Sequence, residues 1–143
     1  GCAAPMKAAP EKDSAAKSFS PAKSKSSLYV FRNENYGGAV GMPVSINGTG
    51  IGETAAKTFF RLDLEPGYYL VTSTAENTSE LALTLIEGRN HFVWQEVRMG
   101  IWKARTALSQ VDEKTGRDGV LESVLLTPSA SEEMLSASRM NTK

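Results

Sequence analysis

The sequence predicts a mainly β protein, an antiparallel β-sandwich of about seven strands that allows a short helix near the C-terminus. From residue 28 onward, short runs of β-forming residues alternate with polar residues at a period of two. Turn signals such as Asn47-Gly48 and Pro66-Gly67 recur at the spacing of about 8 to 12 residues that sandwiches show. The sequence lacks the strand–helix–strand spacing that would indicate a parallel sheet. Its 143 residues correspond to about one domain.

The first segment, residues 1–27, differs in composition from the rest of the chain. Its five lysines against Glu11 and Asp13 give a net charge of +3, whereas residues 28–143 carry −3. From residue 3 to 27 it consists almost entirely of Ala, Ser, Lys and Pro, with Phe19 as its single aromatic residue. Such a composition buries too little apolar surface to offset the entropy of ordering. We therefore expect a disordered linker, whose stretched length is about 80 Å.

Cys2, the single cysteine, lies at the start of this segment. Cys2 and the polar spacer behind it resemble the mature start of a bacterial lipoprotein, in which the cysteine carries the lipid. The apolar signal segment of such a precursor is not part of the sequence, and Gly1 is either the native small residue or a cloning remnant. Several acyl chains would make the membrane attachment stable. The alternative is an incidental surface thiol.

The sandwich domain is predicted over residues 28–127, and its first two strands are Leu28–Arg32 and Val40–Ile46. Apolar residues of the second strand alternate with small or polar ones, which indicates one buried face. Pro43 lacks the amide that a central strand needs, so this strand is expected at a sheet edge. Asn47-Gly48 then predicts a tight hairpin.

The later strands follow the same pattern of alternation between turn signals. They are Phe59–Leu64, Tyr68–Thr74, Leu81–Leu85, His91–Arg98 and, seventh, Arg105–Val111. The sixth strand is apolar on both faces, with Phe92 and Trp94 on one of them and Val93 and Val97 on the other. This predicts a strand that is covered on both sides.

Residues 119–126 contain apolar residues at the spacing of one helical face, although Val and Leu also suit a strand. We expect a short helix that closes one end of the sandwich. Residues 128–143 form either a polar tail or a short helix, for which Ser129 and Glu132 fit a capping box.

Several of these motifs carry a family resemblance. They are YVFR at Tyr29–Arg32, VSING at Val44–Gly48, Ile51-Gly52 and LEPGYYLV at Leu64–Val71. Over residues 28–126 the chain resembles an uncharacterised family of small bacterial lipoproteins with a PEGA-like domain, although only Pro66-Gly67 matches the motif that gives PEGA domains their name. The resemblance implies a small β-sandwich at the cell envelope and no catalytic residues.

Composition excludes several kinds of function. Sixteen basic and 16 acidic residues cancel, so the positive field of a nucleic-acid-binding protein is missing. One cysteine and one histidine exclude an internal disulfide and a multi-Cys/His metal site. We therefore predict no cofactor, no metal and no nucleic-acid partner. His91 is the single candidate base, and it begins a strand beside a turn, where solvated histidines are common.

Two aromatic residues are the candidates for binding. Tyr36 lies in the sequence NENYGG and Trp102 in MGIWK, both of which read as loops. Exposed aromatic side chains suit sugar rings or a protein partner. The alternative is that both fold back over the ends of the sandwich as plugs.

Together these observations predict a non-enzymatic envelope lipoprotein, in which a β-sandwich scaffold or interaction module is tethered by Cys2. Ala3, rather than an acidic residue, follows the cysteine. This pattern resembles that of lipoproteins sorted to the outer membrane, where the domain would face the periplasm. The expected partners are the membrane, through the lipid, and an envelope protein or cell-wall glycan. A carbohydrate- or peptidoglycan-binding module is the alternative, and an envelope hydrolase is a third hypothesis.

Overall fold

Two β-sheets face each other in the computed structural model, which describes residues 6–35 and 40–139. The strands are β1 (Ser26–Arg32), β2 (Met42–Ile46), β3 (Thr49–Thr54), β4 (Thr58–Leu64), β5 (Gly67–Thr74), β6 (Thr78–Leu85), β7 (Asn90–Met99), β8 (Ala104–Val111) and β9 (Val124–Leu125). The helices are α1 (Pro10–Ala16), α2 (Glu113–Leu121) and α3 (Glu132–Ala137). The predicted mainly β sandwich is confirmed, with nine strands among the described residues where about seven were expected. No helix in this part of the chain is long and apolar enough to cross a bilayer.

The sheets have the orders β8-β7-β1-β4-β9 and β3-β2-β5-β6. Most neighbouring strands are antiparallel, as predicted, but β1 pairs in parallel with β7, and β4 with β9. The chain between β1 and β7 runs through the other strands rather than through a crossover helix. The parallel pair therefore leaves no strand–helix–strand spacing in the sequence.

Apolar side chains fill the space between the sheets, including Val30, Phe60, Tyr69 and Val93. A second apolar cluster lies on the outer face of the five-stranded sheet, under α1 and α2. Because both faces are covered, all seven residues of β1 are buried. The prediction that the strand containing Phe92 and Val93 is covered on both sides is confirmed.

Helix α2 packs directly onto the sheet through two glycines. A Cβ atom on Gly116 would lie 2.1 Å from Cγ of Phe92, and one on Gly119 would lie 2.2 Å from Cε2 of Phe31. The helix starts earlier than predicted, because Asp112 caps it by accepting a hydrogen bond from the Thr115 amide at 2.8 Å. Residues 119–126 therefore contain both the end of this helix and strand β9.

The prediction of a disordered linker over residues 1–27 is wrong for the part that the structure describes. Residues 10–16 form a helix with Pro10 in its first turn, and β1 already begins at Ser26. Ala16 and Phe19 are buried against the sheet, and Lys7 forms a β-bridge with Leu126. The burial of these two side chains is enough to order the segment, because the sheet supplies an apolar surface for them to cover.

Two further predictions are corrected. Strand β2 lies between β3 and β5 rather than at an edge, and Pro43 is accommodated because the pairing with β5 begins only at Val44. In the C-terminal segment, Ser131 rather than Ser129 caps the helix, by accepting a hydrogen bond from the Met134 amide. Leu135 of this helix is fully buried, so the segment up to residue 139 contains a packed helix rather than a frayed tail.

Candidate functional site

The loop between β7 and β8 presents apolar side chains to solvent. Ile101 and Trp102 are each 89% exposed, and Met99 is 74% exposed. The loop is a defined hairpin tip, because Met99 pairs with Ala104 and the Gly100 amide donates a hydrogen bond of 2.9 Å to the Lys103 carbonyl. We call residues 99–103 the hairpin tip.

The hairpin tip contains the predicted binding residue Trp102, whose side chain is exposed rather than folded back as a plug. Tyr36 and Cys2, the other two predicted site residues, lie outside the described residues. The structure therefore supplies a position for Trp102 alone. A small depression of about 420 Å³ lies beside it, lined by the tip together with Glu76 and Arg105.

A larger cavity of about 600 Å³ lies near Asn90, at the opposite end of β7 from the hairpin tip. Its lining includes Phe19, Arg89, Asn90, His91, Gln110, Glu113 and Arg117. These residues come from the N-terminal segment, the turn before β7, the start of β7, strand β8 and helix α2, so the cavity depends on the packing of these elements together. We call it the Asn90 cavity.

His91 lines the Asn90 cavity and is buried. Its Nε2 accepts a hydrogen bond of 3.0 Å from the Ile86 amide, so the neutral ring carries its proton on Nδ1. Burial lowers the pKa of His91, and the Arg89 charge acts in the same direction. The ring's one basic lone pair is thus engaged by the backbone.

Arg117 is held in place within the cavity lining. Its guanidinium lies 4.9 Å from the centre of the Phe19 ring and pairs with Glu113 one helical turn away. Arg89, by contrast, forms no ion pair within the described parts of the chain. The lining therefore carries one positive charge in excess.

No pattern in the sequence predicted this cavity. Arg89 and Asn90 belong to a stretch that reads as a turn, and Arg117 lies in a stretch that carries no strand or helix signal. Phe19 sits in the segment expected to be disordered. The residues of the cavity are distant in the sequence, so only their proximity in the folded chain identifies it. Among residues 6–35 and 40–139, no three His, Cys, Asp or Glu side chains are grouped so as to hold a metal ion.

Comparison with known proteins places the chain in a family. Residues 22–107 match the family described as "Protein of unknown function (DUF2846)". The chain belongs to the DUF2846 family. An uncharacterized protein of Haemophilus influenzae is 31% identical to this DUF2846 protein over 121 residues, which cover 83% of the chain and 72% of that relative. No solved structure gave a significant match. The family match spans β1 to the first half of β8 and thus both the Asn90 end of β7 and the hairpin tip.

Proposed function

We propose that this DUF2846 protein is a non-enzymatic lipoprotein of the bacterial cell envelope, whose sandwich is an interaction module. Cys2 carries the lipid, and the hairpin tip binds an envelope partner. The observation that carries the binding role is the adjacent pair Ile101 and Trp102, each 89% exposed at a defined hairpin tip. Removing such side chains from water on binding contributes about 1.5 to 3 kcal/mol each, and Trp is enriched in the residues that dominate interfaces.

The folded N-terminal segment changes how the tether works. Only four peptide bonds separate Cys2 from Met6, whose carbonyl accepts a hydrogen bond of 2.7 Å from the Thr127 amide. This length of chain spans at most about 14 Å. The sandwich would therefore sit close to the membrane, rather than at the end of a linker of about 80 Å. The short distance keeps the module at high local concentration near membrane-associated partners.

The hairpin tip and the stretch around Lys7 lie at opposite edges of the five-stranded sheet. The Lys7 bridge to Leu126 places the N-terminal segment beside β9, whereas the tip joins β7 to β8 at the other edge. Four strand spacings separate these edges, a distance of about 19 Å. A lipid on Cys2 would thus leave the tip free to contact a partner.

A binding role, rather than catalysis, agrees with the state of the single histidine. The Nε2 lone pair of His91 accepts the Ile86 amide and is not available to take a proton from a nucleophile. Ala3 behind Cys2 supports a place at the outer membrane, facing the periplasm.

The lipid anchor is tested by palmitate labelling and membrane fractionation of the full-length precursor in its native host. Wild type should be labelled and membrane-bound, and Cys2→Ser should lose the label and be released. Ala3→Ser serves as the matched control, since it keeps the thiol and should still be labelled. An unlabelled, soluble wild type would overturn the proposal.

The binding role is tested by photo-crosslinking in cells. A crosslinking amino acid at position 102 should capture a defined envelope protein, whereas the same group at Lys114 of α2, whose side chain is 87% exposed, should not. Identical capture patterns at both positions would show that the hairpin tip has no special role.

The second candidate function is a cell-wall glycan-binding module. The Asn90 cavity favours it, because guanidinium, amide and carboxylate groups converge there beside the Phe19 ring. Sugars are recognised by such combinations of polar groups and apolar walls.

A further inference from the structure

The two sheets of the sandwich differ in how their outer faces are covered. In the described structure, the main contacts of α1, α2 and α3 with strands are all made to the five-stranded sheet. We call the outer face of the four-stranded sheet the open face. Its middle is formed by the outward positions of the central strands β2 and β5, which alternate with buried positions. They are Pro43, Ser45, Tyr68, Leu70, Thr72 and Thr74.

The open face is poor in charge. The four strands of this sheet contain two charged residues, Glu53 and Glu80, although 22% of the whole chain is charged. Both glutamates lie on the edge strands β3 and β6, so the middle of the face is uncharged. A sheet face that stays in water normally carries charged side chains. The centres of protein interfaces, by contrast, are depleted in charged residues and enriched in tyrosine, which is the composition found here.

The side chains of the open face form one continuous surface. In the register of the strands, Leu70 lies beside Ala82, and Thr72 lies beside Ser45. Serine, threonine and alanine are short, so most of the face is low in relief. Such a face can stack on another sheet at the spacing of about 10 Å that packed sheets show.

We propose that the open face binds the open face of a second copy of this chain, so that two chains form a dimer about a two-fold axis. A two-fold contact places the same surface of both copies together, so a charged centre would repel its own copy, whereas an uncharged centre does not. A different protein would be selected by complementary charges, which the middle of the open face does not offer. This inference goes beyond the proposed function and does not rest on it.

The area of the open face is sufficient for a weak dimer. Four strands spaced by about 4.8 Å, and the eight residues of β5 at about 3.4 Å each, give about 500 Å² per copy. A dimer would therefore bury about 1,000 Å² in total, which is the lower end for specific interfaces. We expect a dissociation constant in the micromolar range, about 1 to 100 µM.

The dimer leaves the other surfaces of the domain accessible. The hairpin tip joins β7 to β8, and the stretch around Lys7 lies beside β9, so both belong to the five-stranded sheet. A contact through the four-stranded sheet therefore covers neither of them.

Sedimentation equilibrium of the full 143-residue chain tests the proposal. A reducing agent is present, so that the thiol of Cys2 cannot cross-link two copies. As the protein concentration rises from about 1 to 500 µM, the average mass should rise from that of one chain toward that of two. A monomer over this whole range would overturn the proposal and leave the open face without this role.

Two lysine substitutions locate the contact. Thr72→Lys places a positive charge from each copy near the centre of the interface and should weaken association at least about tenfold. Ala107→Lys is the matched control, because Ala107 is also a half-buried outward position of a strand but lies on the five-stranded sheet, opposite Glu96. It should leave the dissociation constant unchanged. Equal association of the two variants would refute a contact through the open face.

A milder variant guards against an effect on folding. Leu70→Ala removes apolar area from the centre of the face without adding charge, and it should weaken association about threefold or more. Circular dichroism checks that each variant has the fold of the wild type. Unchanged association of a folded Leu70→Ala variant would contradict the proposal.

Nuclear magnetic resonance separates this dimer from one that forms through the exposed hairpin tip. In a mixture of isotope-labelled and unlabelled chains, nuclear Overhauser effects between copies should involve the Leu70 methyl groups and the Tyr68 ring. Effects between copies that involve Ile101 and Trp102 instead would assign association to the hairpin tip and would overturn the proposal.

Discussion

The phenol of Tyr29 donates a hydrogen bond of 2.7 Å to the backbone carbonyl of Ala16, and so fastens the N-terminal helix to the central strand of the five-stranded sheet. Tyr29 is fully buried, with its ring centre 4.9 Å from that of Phe92 and 5.5 Å from that of Phe19. Burial raises the pKa of Tyr29 to about 12, so the hydroxyl is a donor at any physiological pH. Helix α1 is therefore part of the folded domain.

Tyr29→Phe should lower the free energy of unfolding by about 1 kcal/mol, because it removes this hydrogen bond and leaves the buried Ala16 carbonyl with only the longer bond of 3.3 Å from the Phe19 amide. Urea unfolding measures the loss. Relative to wild type, amide hydrogen exchange in the variant should accelerate more in α1 than in β4. Tyr68→Phe is the control, since the Tyr68 hydroxyl makes no hydrogen bond within the described residues, and it should be neutral. Similar losses in both variants would show that the bond to Ala16 is not what stabilises the segment.

Local patterns of the chain predicted the features that depend on neighbouring residues. Asn47-Gly48 forms the expected turn with positive φ at both residues, 49° and 84°. Phe92 and Val93 fall on the two covered faces of β7, as the alternation indicated. Trp102 lies in a loop between two strands, as expected, but that its side chain is exposed rather than folded back as a plug is seen only in the structure.

The features that were not predicted depend on contacts between distant parts of the chain. The parallel pairing of β1 with β7 joins residues more than 60 positions apart, such as Ser27 and Asn90. Ordering of the N-terminal segment rests on Ala16 and Phe19, two apolar residues that gain a partner surface only after the sheet has formed. The Asn90 cavity likewise exists only once Arg89 and Phe19 are brought together.

Gly116→Ala should destabilise the domain by about 2 kcal/mol or more, because the new methyl group overlaps the Phe92 ring unless α2 moves off the sheet. Gly50→Ala is the matched control. A Cβ atom on Gly50 has nothing within 4 Å, so the change should cost less than about 1 kcal/mol. Thermal unfolding of both variants gives the comparison, and equal stabilities would contradict the close packing of α2.

The two tryptophans should differ in their fluorescence. Trp102 is 89% exposed, whereas the indole nitrogen of Trp94 is buried. Trp102→Phe should therefore leave a blue-shifted emission that iodide quenches weakly, whereas Trp94→Phe should leave a red-shifted emission that iodide quenches strongly. Trp102→Phe should also change the free energy of unfolding by less than about 0.5 kcal/mol, as expected for an exposed position. Emission of Trp102→Phe that iodide quenches strongly would contradict the burial of the Trp94 indole nitrogen.

The stability of the domain should fall as the pH is lowered through about 6.5, because His91 is buried in its neutral form. Burial lowers the pKa of His91 from its ordinary value of 6.5 in the folded chain, so the unfolded chain binds the proton more readily. The contribution is complete above the unfolded pKa and is lost progressively as the pH falls toward the folded pKa.

Because His91 is the single histidine, its contribution to the pH dependence of stability can be separated from those of other groups. Burial raises the pKa of Glu132 above its ordinary 4.5, and this acts in the opposite sense, because stability from that carboxyl is lost as the pH rises. The measurement is therefore the difference between wild type and His91→Gln in urea unfolding from about pH 7.5 to 5.5. Wild type should lose stability over this interval relative to the variant, whose amide oxygen can still accept the Ile86 amide. Parallel curves would mean that His91 can be protonated without cost in the folded domain.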